Sequence, residues 1–291
     1  MSEYFIKEGY KPNIFYRNKD HSYWNIERIS KSHLIAQYQI YKFCQKLIKK
    51  NNIKSVLDIG CGKGEKLMKL IKPYCNEVYG IDEKRIIAYC KLVYYSDNFY
   101  HGDIEEGKTE INKKFDLIIS SDVIEHLKNP DRLINFIKQF SHSNTLIVIS
   151  TPERDILRGK NSLNPPNKSH TREWNKIEFK KYLESRNLVI LYHDIVQAFR
   201  IIPLPLNYKS FIHGLLGQIN KARVFRNLSR IKYNQLVLCI IKNTQNQINI
   251  KIPKLNRLHD KFKEFFKKLI FRFYLLLSYI MKISKYYNNI N

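Results

Sequence analysis

Short apolar runs alternate with segments of helical spacing between residues 54 and 151, and this alternation restricts the fold more than any other feature of the sequence. Five runs rich in Ile, Val, Leu and Tyr predict buried strands at 54–60, 77–82, 98–103, 115–121 and 144–151. Between several of them, apolar residues recur three or four positions apart, as they do in helices that pack on a sheet. The pattern therefore predicts an α/β fold with a doubly wound, mostly parallel sheet and helices on both faces.

The flanking segments complete this prediction. A helix over 35–50 should precede the first strand, and a helix over 177–186 should follow the last of the five. Two further strands, over 188–195 and 235–242, raise the predicted sheet to seven strands. We predict the following division: an N-terminal aromatic cap or lid (1–29), a main domain (30–243) with a substrate loop (151–174) and an insert (196–234), and a linker with a basic amphipathic C-terminal helix (244–291).

A glycine-rich turn follows the first predicted strand. Gly60, Gly62 and Gly64 allow a sharp turn and the close approach of a ligand. A dinucleotide-binding fingerprint requires a further glycine at position 65, where this chain has Glu65. Asp58 adds a second acid beside the turn, and acids are unfavourable next to a pyrophosphate. An ordinary strand-to-helix turn is the alternative interpretation of this segment.

Two more acids end the next two predicted strands. Asp82 ends the second strand and is suited to accept hydrogen bonds from both hydroxyls of a ribose. Asp103 ends the third, although it also has the pattern of a helix N-cap or turn acid. A nucleoside that carries a cationic group and no phosphate fits these acids together. S-adenosylmethionine has this chemistry, and we expect it to be the cofactor.

The same segments resemble class I S-adenosylmethionine-dependent methyltransferases, which have a Rossmann-like fold. The resemblance rests on VLDIGCGKG (56–64), Asp82, the GD pair at 102–103 and FDLIISSDVIEHL (115–127). It implies that Asp58, Gly60 and Gly62 line the methionine end of the cofactor, and that Cys61 and Gly64 of the same turn also bind it. It further implies that Asp82 binds the ribose, that Asp103 and Ile104 flank the adenine, and that Ser121 lies near the methyl group.

A narrower resemblance extends over about residues 10–196. The strings at 62–67, 120–130, 150–159, 164–166 and 170–174 resemble a bacterial branch that is often encoded among glycan-assembly genes beside glycosyltransferases. It implies O-methylation of a hydroxyl of a sugar or glycan precursor. Three alternatives stay open: a lipid or quinone-like acceptor, an RNA-binding or RNA-modifying protein, and a cofactor-binding module without activity.

Three residues are the catalytic candidates. Asp122 ends the fourth predicted strand, His126 follows it closely, and His170 opens the string HTREW. Histidine titrates in the range that suits a general base for a hydroxyl acceptor. For each histidine, a structural hydrogen bond is the alternative.

The long loop supplies the substrate candidates. Arg154, Arg158 and Arg172 have the chemistry to hold an anionic group of an acceptor, or they are solvated loop charges. Trp174 is either a packing anchor or a platform for a sugar. The five cysteines have irregular spacing and no Cys-x-x-Cys pair, so we expect reduced thiols and no metal.

The charge of the chain is concentrated near its end. The chain has 51 basic and 26 acidic side chains, a net charge of +25, and residues 200–291 contain 18 of the basic and two of the acidic ones. Apolar residues recur at helical spacing within 250–285, and basic residues occupy another face. This predicts a cytoplasmic protein held peripherally at an anionic membrane surface, or a helix packed on protein. Aliphatic residues are so frequent there that nucleic acid is disfavoured as a partner.

Overall fold

An eight-stranded sheet organises the computed structural model, which describes residues 4–14, 37–198, 232–242 and 249–254. The strands in chain order are β1 (Ser55–Ile59), β2 (Glu77–Asp82), β3 (Phe99–Asp103), β4 (Lys108–Thr109), β5 (Phe115–Ser121), β6 (Ser141–Pro152), β7 (Leu188–Ala198) and β8 (Lys232–Ile241). They lie in the spatial order β4-β3-β2-β1-β5-β6-β8-β7.

The predicted doubly wound, mostly parallel sheet is confirmed. Strands β3, β2, β1, β5 and β6 pair in parallel, while β8 pairs antiparallel with both β6 and β7. The sheet has one more strand than the predicted seven, because β4 adds a two-residue antiparallel pair at the edge. Two residues are too few to produce a period-2 pattern in a sequence.

Within the described ranges, five α-helices connect or flank these strands. They are α1 (Tyr38–Asn51), α2 (Lys84–Tyr94), α3 (Pro130–Gln139), α4 (Arg154–Arg158) and α5 (Lys176–Ser185), with a π-helical turn at Leu67–Ile71 and short 3-10 turns at Lys72–Tyr74 and Ile124–His126. The starts of two helices follow local sequence rules. The Asn129 side chain accepts from the backbone N–H of Asp131, with Pro130 at the first helical position, and Asn175 and Glu178 form a capping box.

Strand order reverses between β1 and β5, which are neighbours in space although three strands separate them in sequence. The carboxyl ends of β1, β2, β3 and β5 meet at one edge of the sheet. The loops after β1 and β5 lead away to opposite sides of such a reversal and leave a crevice between them. This crevice is where a ligand is expected in an open α/β sheet.

The described N-terminal segment, residues 4–14, packs on α5 and on the segment after β6. Ile6 is buried, and the Tyr4 ring meets the Tyr182 ring edge-on with centroids 6.2 Å apart. The indole N–H of Trp174 donates to the Tyr4 carbonyl over 3.0 Å. The predicted lid of residues 1–29 stays a prediction, because residues 15–36 lie outside the described ranges.

Most of the predicted insert (196–234) and nearly all of the predicted C-terminal helix (244–291) also lie outside the described residues. Within the described ranges, no helix combines the length and the apolar character needed to cross a membrane. All five cysteines are buried free thiols.

Candidate cofactor and acceptor site

A cavity of about 630 Å³ opens at the carboxyl ends of the parallel strands. Its walls come from the loops after β1, β2, β3 and β5. Nine of the residues predicted from the sequence line it: Gly60, Cys61, Gly62, Asp82, Asp103, Ile104, Ser121, Asp122 and His126.

The backbone N–H groups of the glycine turn are committed within the protein. Those of Gly60 and Cys61 donate to the Ile81 carbonyl over 2.8 and 3.1 Å. That of Gly62 donates to Oδ2 of Asp82 over 2.7 Å. A phosphate-binding turn needs such N–H groups for its ligand, so this turn is unsuited to a pyrophosphate. Carboxylates line the cavity together with Lys63, Lys66, Lys84 and Arg85, and the carboxylates suit hydroxyl and ammonium groups.

Gly60 is required by its surroundings. Its φ of +79° lies in the left-handed region, and a Cβ there would lie 2.3 Å from Cγ2 of Val123 in the loop after β5. The loops after β1 and β5 therefore come into close contact at Gly60, where any side chain would overlap Val123. Gly64, in contrast, packs against Phe99 and does not line the cavity, although it also has a positive φ.

Asp58 is buried behind the glycine turn rather than in the cavity wall. The Tyr41 hydroxyl donates to its Oδ2 over 2.8 Å, whereas its Oδ1 has no hydrogen-bond partner in the described part of the chain. Burial raises the pKa of Asp58 to about 7, although the Tyr41 hydrogen bond opposes this rise. A buried carboxylate beneath the turn favours a cationic ligand above it.

Asp122 has a left-handed backbone, with φ +57°, at the end of β5. Its Oδ1 accepts from the Ser150 hydroxyl and the Asn234 amide over 2.9 and 2.6 Å, and its Oδ2 accepts from the Gln37 amide over 2.8 Å. A non-glycine residue with positive φ stores strain that its surroundings must hold. The carboxylate is thus fixed by three segments of the chain.

His126 and His170 lie next to each other, with ring centroids 4.8 Å apart and planes at 90°. Nδ1 of His126 is 2.7 Å from the Ser169 carbonyl, and Nδ1 of His170 is 2.6 Å from Oε1 of Glu173. Both partners only accept, so each Nδ1 carries the proton, and in the neutral rings each Nε2 carries the lone pair. Only His126 lines the cavity.

Glu173 is an anion at neutral pH. Burial alone would raise its pKa, but hydrogen bonds from His170 and Arg158 outweigh that effect and lower the pKa to about 2. Arg158, a predicted substrate residue, donates to Glu173 over 3.0 and 3.1 Å. The Arg158 guanidinium therefore orients the Glu173 carboxylate, and this carboxylate in turn orients His170.

The predicted substrate residues Arg154 and Trp174 are buried and do not line the cavity. Arg154 is 1 % exposed and donates twice to the Glu178 carboxylate, over 2.7 and 2.9 Å. Trp174 is fully buried and stacks on Tyr182 with ring centroids 5.5 Å apart. Both placements favour a role in the fold over the predicted contact with a substrate.

Arg172 joins the two histidine-bearing loops. Its guanidinium donates to the carbonyls of Leu127 and Lys128 over 3.1 and 2.8 Å. The backbone N–H of Thr171 donates to the Glu125 carbonyl, and the Thr171 hydroxyl to the His126 carbonyl. Arg172 therefore positions His170 beside His126 and is not placed to hold an anionic acceptor.

Glu125 is the main residue of the site that sequence reasoning missed. It is fully buried, its Oε2 accepts from the Thr151 hydroxyl over 3.1 Å, and its Oε1 has no hydrogen-bond partner among the described residues. Burial raises the pKa of Glu125 well above its ordinary range, and the nearby Asp122 raises it further. Its position directly before His126 was the available signal. For Gln37 and Asn234, which hold Asp122, the sequence carries no such signal.

Comparisons with known proteins agree with this geometry. The family described as "Methyltransferase domain" matches residues 33–193. The small RNA 2'-O-methyltransferase of Mus musculus is 29% identical over 167 residues, which cover 50% of this chain and 40% of that protein. The mitochondrial ubiquinone biosynthesis O-methyltransferase of Dictyostelium discoideum is 24% identical over 170 residues, or 49% of this chain and 53% of that protein. The chain thus spans about half the length, or less, of these curated relatives.

A solved structure shows the same fold. The S-adenosylmethionine-dependent methyltransferase from Clostridium acetobutylicum superimposes with a TM-score of 0.50 at 12% identity, and the match covers 75% of this chain and 95% of that one. The predicted class I resemblance is confirmed, while the narrower resemblance to a glycan-associated branch stays a prediction. The chain belongs to the methyltransferase domain family and has the Rossmann-like fold of class I S-adenosylmethionine-dependent methyltransferases.

Proposed function

We propose that this protein transfers a methyl group from S-adenosylmethionine to a hydroxyl of a sugar in a glycan precursor. One observation carries the proposal: His126 presents an imidazole at the end of the cavity where Ser121 and Asp122 end β5. Hydroxyl groups are weak nucleophiles at neutral pH, so a base at this place assists their methylation.

The residues of the cavity fit the cofactor. Asp82 already accepts one backbone N–H at each carboxylate oxygen, from Gly62 and Glu83, which fixes its orientation. A carboxylate oxygen can accept more than one hydrogen bond, so Asp82 has the chemistry to accept from ribose hydroxyls as well. Asp103 and Ile104 line the part of the cavity proposed for the adenine. The turn with Gly60, Cys61 and Gly62 is proposed for the methionine end, with Gly64 supporting it from behind.

When bound, S-adenosylmethionine supplies an electrophilic methyl group on a sulfonium centre. The chain then has to bring an acceptor oxygen into line with that group and remove its proton. Nε2 of His126 carries a lone pair and is our candidate for the atom that takes this proton. His170, backed by the Glu173 carboxylate, stabilises the positive charge that forms beside it. Asp122, held on both oxygens, positions the end of β5.

The acceptor class rests on two supports. The curated relatives named above are both O-methyltransferases by name, and one acts on the 2'-hydroxyl of RNA, which is also a sugar hydroxyl. The strings shared with the glycan-associated branch favour a glycan precursor. A quinone-like or lipid acceptor is the second candidate, supported by the ubiquinone-related relative.

Binding to an anionic membrane surface through 250–285 stays a prediction.

Acceptor assays separate these candidates. The purified full chain is incubated with methyl-labelled S-adenosylmethionine and, separately, with a mixture of nucleotide sugars and polyprenol-linked sugars, with catechol-type phenols, or with short RNAs. We expect label in the saccharides. Label only in the phenols would favour the second candidate, and label only in RNA would contradict the proposal. His126→Ala should remove transfer while S-adenosylhomocysteine still binds.

Cofactor affinity should depend on pH through Asp58. Because its pKa is about 7 without a ligand, a cationic ligand binds more tightly when the carboxylate is ionised, so binding should release a proton near neutral pH. We expect affinity for S-adenosylmethionine to fall roughly three- to tenfold between about pH 7.5 and pH 6. Calorimetry in buffers of different ionisation enthalpy measures the affinity and the released proton together.

Two variants assign this effect. Asp58→Asn keeps an acceptor for the Tyr41 hydroxyl but has no proton to release, so it should bind with little pH dependence. Asp103→Asn removes a carboxylate that lines the cavity itself and should retain the pH dependence. A pH dependence that persists in Asp58→Asn would show that another group is responsible.

A further inference from the structure

Three side chains near the proposed methyl-transfer position converge on one point. Glu125, His126 and His170 each offer one ligand atom, and these atoms lie within 4.8 Å of one another. Glu125 and His126 lie in the 3-10 turn at Ile124–His126, and His170 lies in the loop before α5. Their approach is maintained by the hydrogen bonds of Thr171 and Arg172 between those two segments.

The Glu125 carboxylate has one oxygen, Oε1, without a hydrogen-bond partner among the described residues. Glu125 is 0 % exposed, and the only hydrogen bond to its side chain comes from the Thr151 hydroxyl within the described residues. A buried carboxylate oxygen without a partner is costly, and such exceptions call for a ligand or an ion. A cation between the carboxylate and the histidines would supply that partner.

The histidines are oriented as metal ligands usually are. Metal-binding histidines donate their second ring N–H to a carbonyl or carboxylate, which fixes the tautomer and the ring. Here Nδ1 of His126 donates to the Ser169 carbonyl, and Nδ1 of His170 donates to the Glu173 carboxylate, which Arg158 holds in turn. Each ring therefore has an outer partner of the required kind, and each Nε2 is the nitrogen suited to a metal.

We propose that Glu125, His126 and His170 form a binding site for a divalent transition-metal cation, with Mn²⁺ or Zn²⁺ as the best match. Two imidazole nitrogens and one carboxylate oxygen suit such ions better than Ca²⁺ or Mg²⁺, which prefer oxygen ligands. Three protein ligands leave coordination positions for an acceptor. Since His126 lines the cavity, an acceptor bound in the cavity would be close to a cation held by this residue.

The site would deepen the proposed function, on which its catalytic role rests. A hydroxyl bound to a divalent cation loses its proton at a lower pH, and the cation also fixes the position of the oxygen. His126 would then act as a ligand rather than as the base, and the proton would pass from the bound hydroxyl to solvent. Metal binding itself does not depend on that role and can be tested without any acceptor.

Metal titration tests the site directly. The full chain, free of any histidine tag and freed of metal with a chelator, is titrated with Mn²⁺ by calorimetry and with Co²⁺ by visible absorption. We expect one equivalent of each to bind, and the Co²⁺ spectrum to report nitrogen ligands. Glu125→Gln and His170→Ala should each weaken binding at least about tenfold. His142→Ala, which removes a histidine paired with Asp116 outside the cluster, should bind as the wild type does.

S-adenosylhomocysteine binding by each variant serves as the folding control. Absence of Mn²⁺ and Co²⁺ binding at millimolar concentration, or binding that is unchanged in both Glu125→Gln and His170→Ala, would overturn the metal site. Neither result would affect the proposed methyl transfer, which fails if the acceptor assays give no labelled product or label only in RNA. The two proposals therefore fail by different observations.

Discussion

Replacing Arg154 with methionine should lower the free energy of unfolding by about 3–5 kcal/mol, the usual cost of removing one partner from a buried ion pair. Arg154 lies almost fully buried and donates to the Glu178 carboxylate with two nitrogens and to Asp155 with a third contact. Methionine fills much of the space but leaves the Glu178 carboxylate without its cation. Urea denaturation of the wild type and the variant measures the difference.

Arg186→Met is the matched control. Arg186 also pairs with a carboxylate, Asp131, but both side chains are partly exposed to water. Water then replaces the lost partner, so we expect a change of about 0–1 kcal/mol. Equal losses for the two variants would contradict the internal role that the structure gives to Arg154. A folded Arg154→Met protein of normal stability that had lost only acceptor binding would restore the substrate role predicted from the sequence.

Gly60→Ala should disrupt the glycine turn. The added Cβ would overlap Cγ2 of Val123 at 2.3 Å, and alanine would also have to adopt a φ of +79°. The left-handed backbone costs roughly 1–2 kcal/mol, and overpacking adds about 1–3 kcal/mol. Since the loops after β1 and β5 both border the cavity, we expect cofactor affinity to fall by at least about tenfold, with lower stability as well.

Two further variants separate the steric effect from the backbone effect. Gly60→Ala combined with Val123→Ala removes the overlapping methyl group and should recover part of the lost affinity. Gly107→Ala also places alanine at a positive φ, but its Cβ would meet only Gln139 at an ordinary 3.5 Å. It should cost about 1–2 kcal/mol of stability and leave cofactor affinity intact. Calorimetric titration with S-adenosylhomocysteine and thermal unfolding report both quantities. Failure of the double variant to recover any affinity would contradict the contact with Val123.

Much of the fold follows from local sequence patterns. The strands at 77–82 and 115–121 were predicted with their observed limits, because mostly buried parallel strands produce short runs rich in apolar residues that end in a polar residue at the loop. The strand at 144–151 starts three residues earlier in the structure, at Ser141. Its first residues, Ser, His, Ser and Asn, are polar and depend on pairing with β5 at Phe115, which the sequence alone does not reveal.

The glycine turn, together with Asp82 and Asp103 at the ends of the next two strands, indicates where the cavity lies in the fold. This follows because loops at the carboxyl ends of parallel strands must meet at one edge of the sheet. The roles of the loop after β6 could not be predicted in the same way. Arginine and tryptophan in a polar loop have the pattern of a substrate site, but here their partners are distant in sequence. Arg154 donates to Glu178, and Trp174 donates to the Tyr4 carbonyl. Only the folded chain shows that these charges are used internally.

Near the proposed methyl-transfer position, the sequence also identified only some of the residues that the structure brings together. His126 and His170 were identified as competing candidates, and the structure places their rings side by side. Glu125 was passed over, because a carboxylate next to a histidine is common and its burial depends on Thr151 and the loop that carries Thr171. Three side chains that meet from two separate segments follow no spacing rule that can be recognised in a sequence.

Calorimetric titration of the full chain with S-adenosylmethionine and with NADH tests which cofactor the cavity binds. We expect binding of one S-adenosylmethionine per chain, no binding of NADH, and an affinity for S-adenosylmethionine at least about tenfold weaker in Asp82→Ala, which loses the acceptors for the ribose hydroxyls. No binding of S-adenosylmethionine by the wild type, together with binding of NADH, would contradict this expectation.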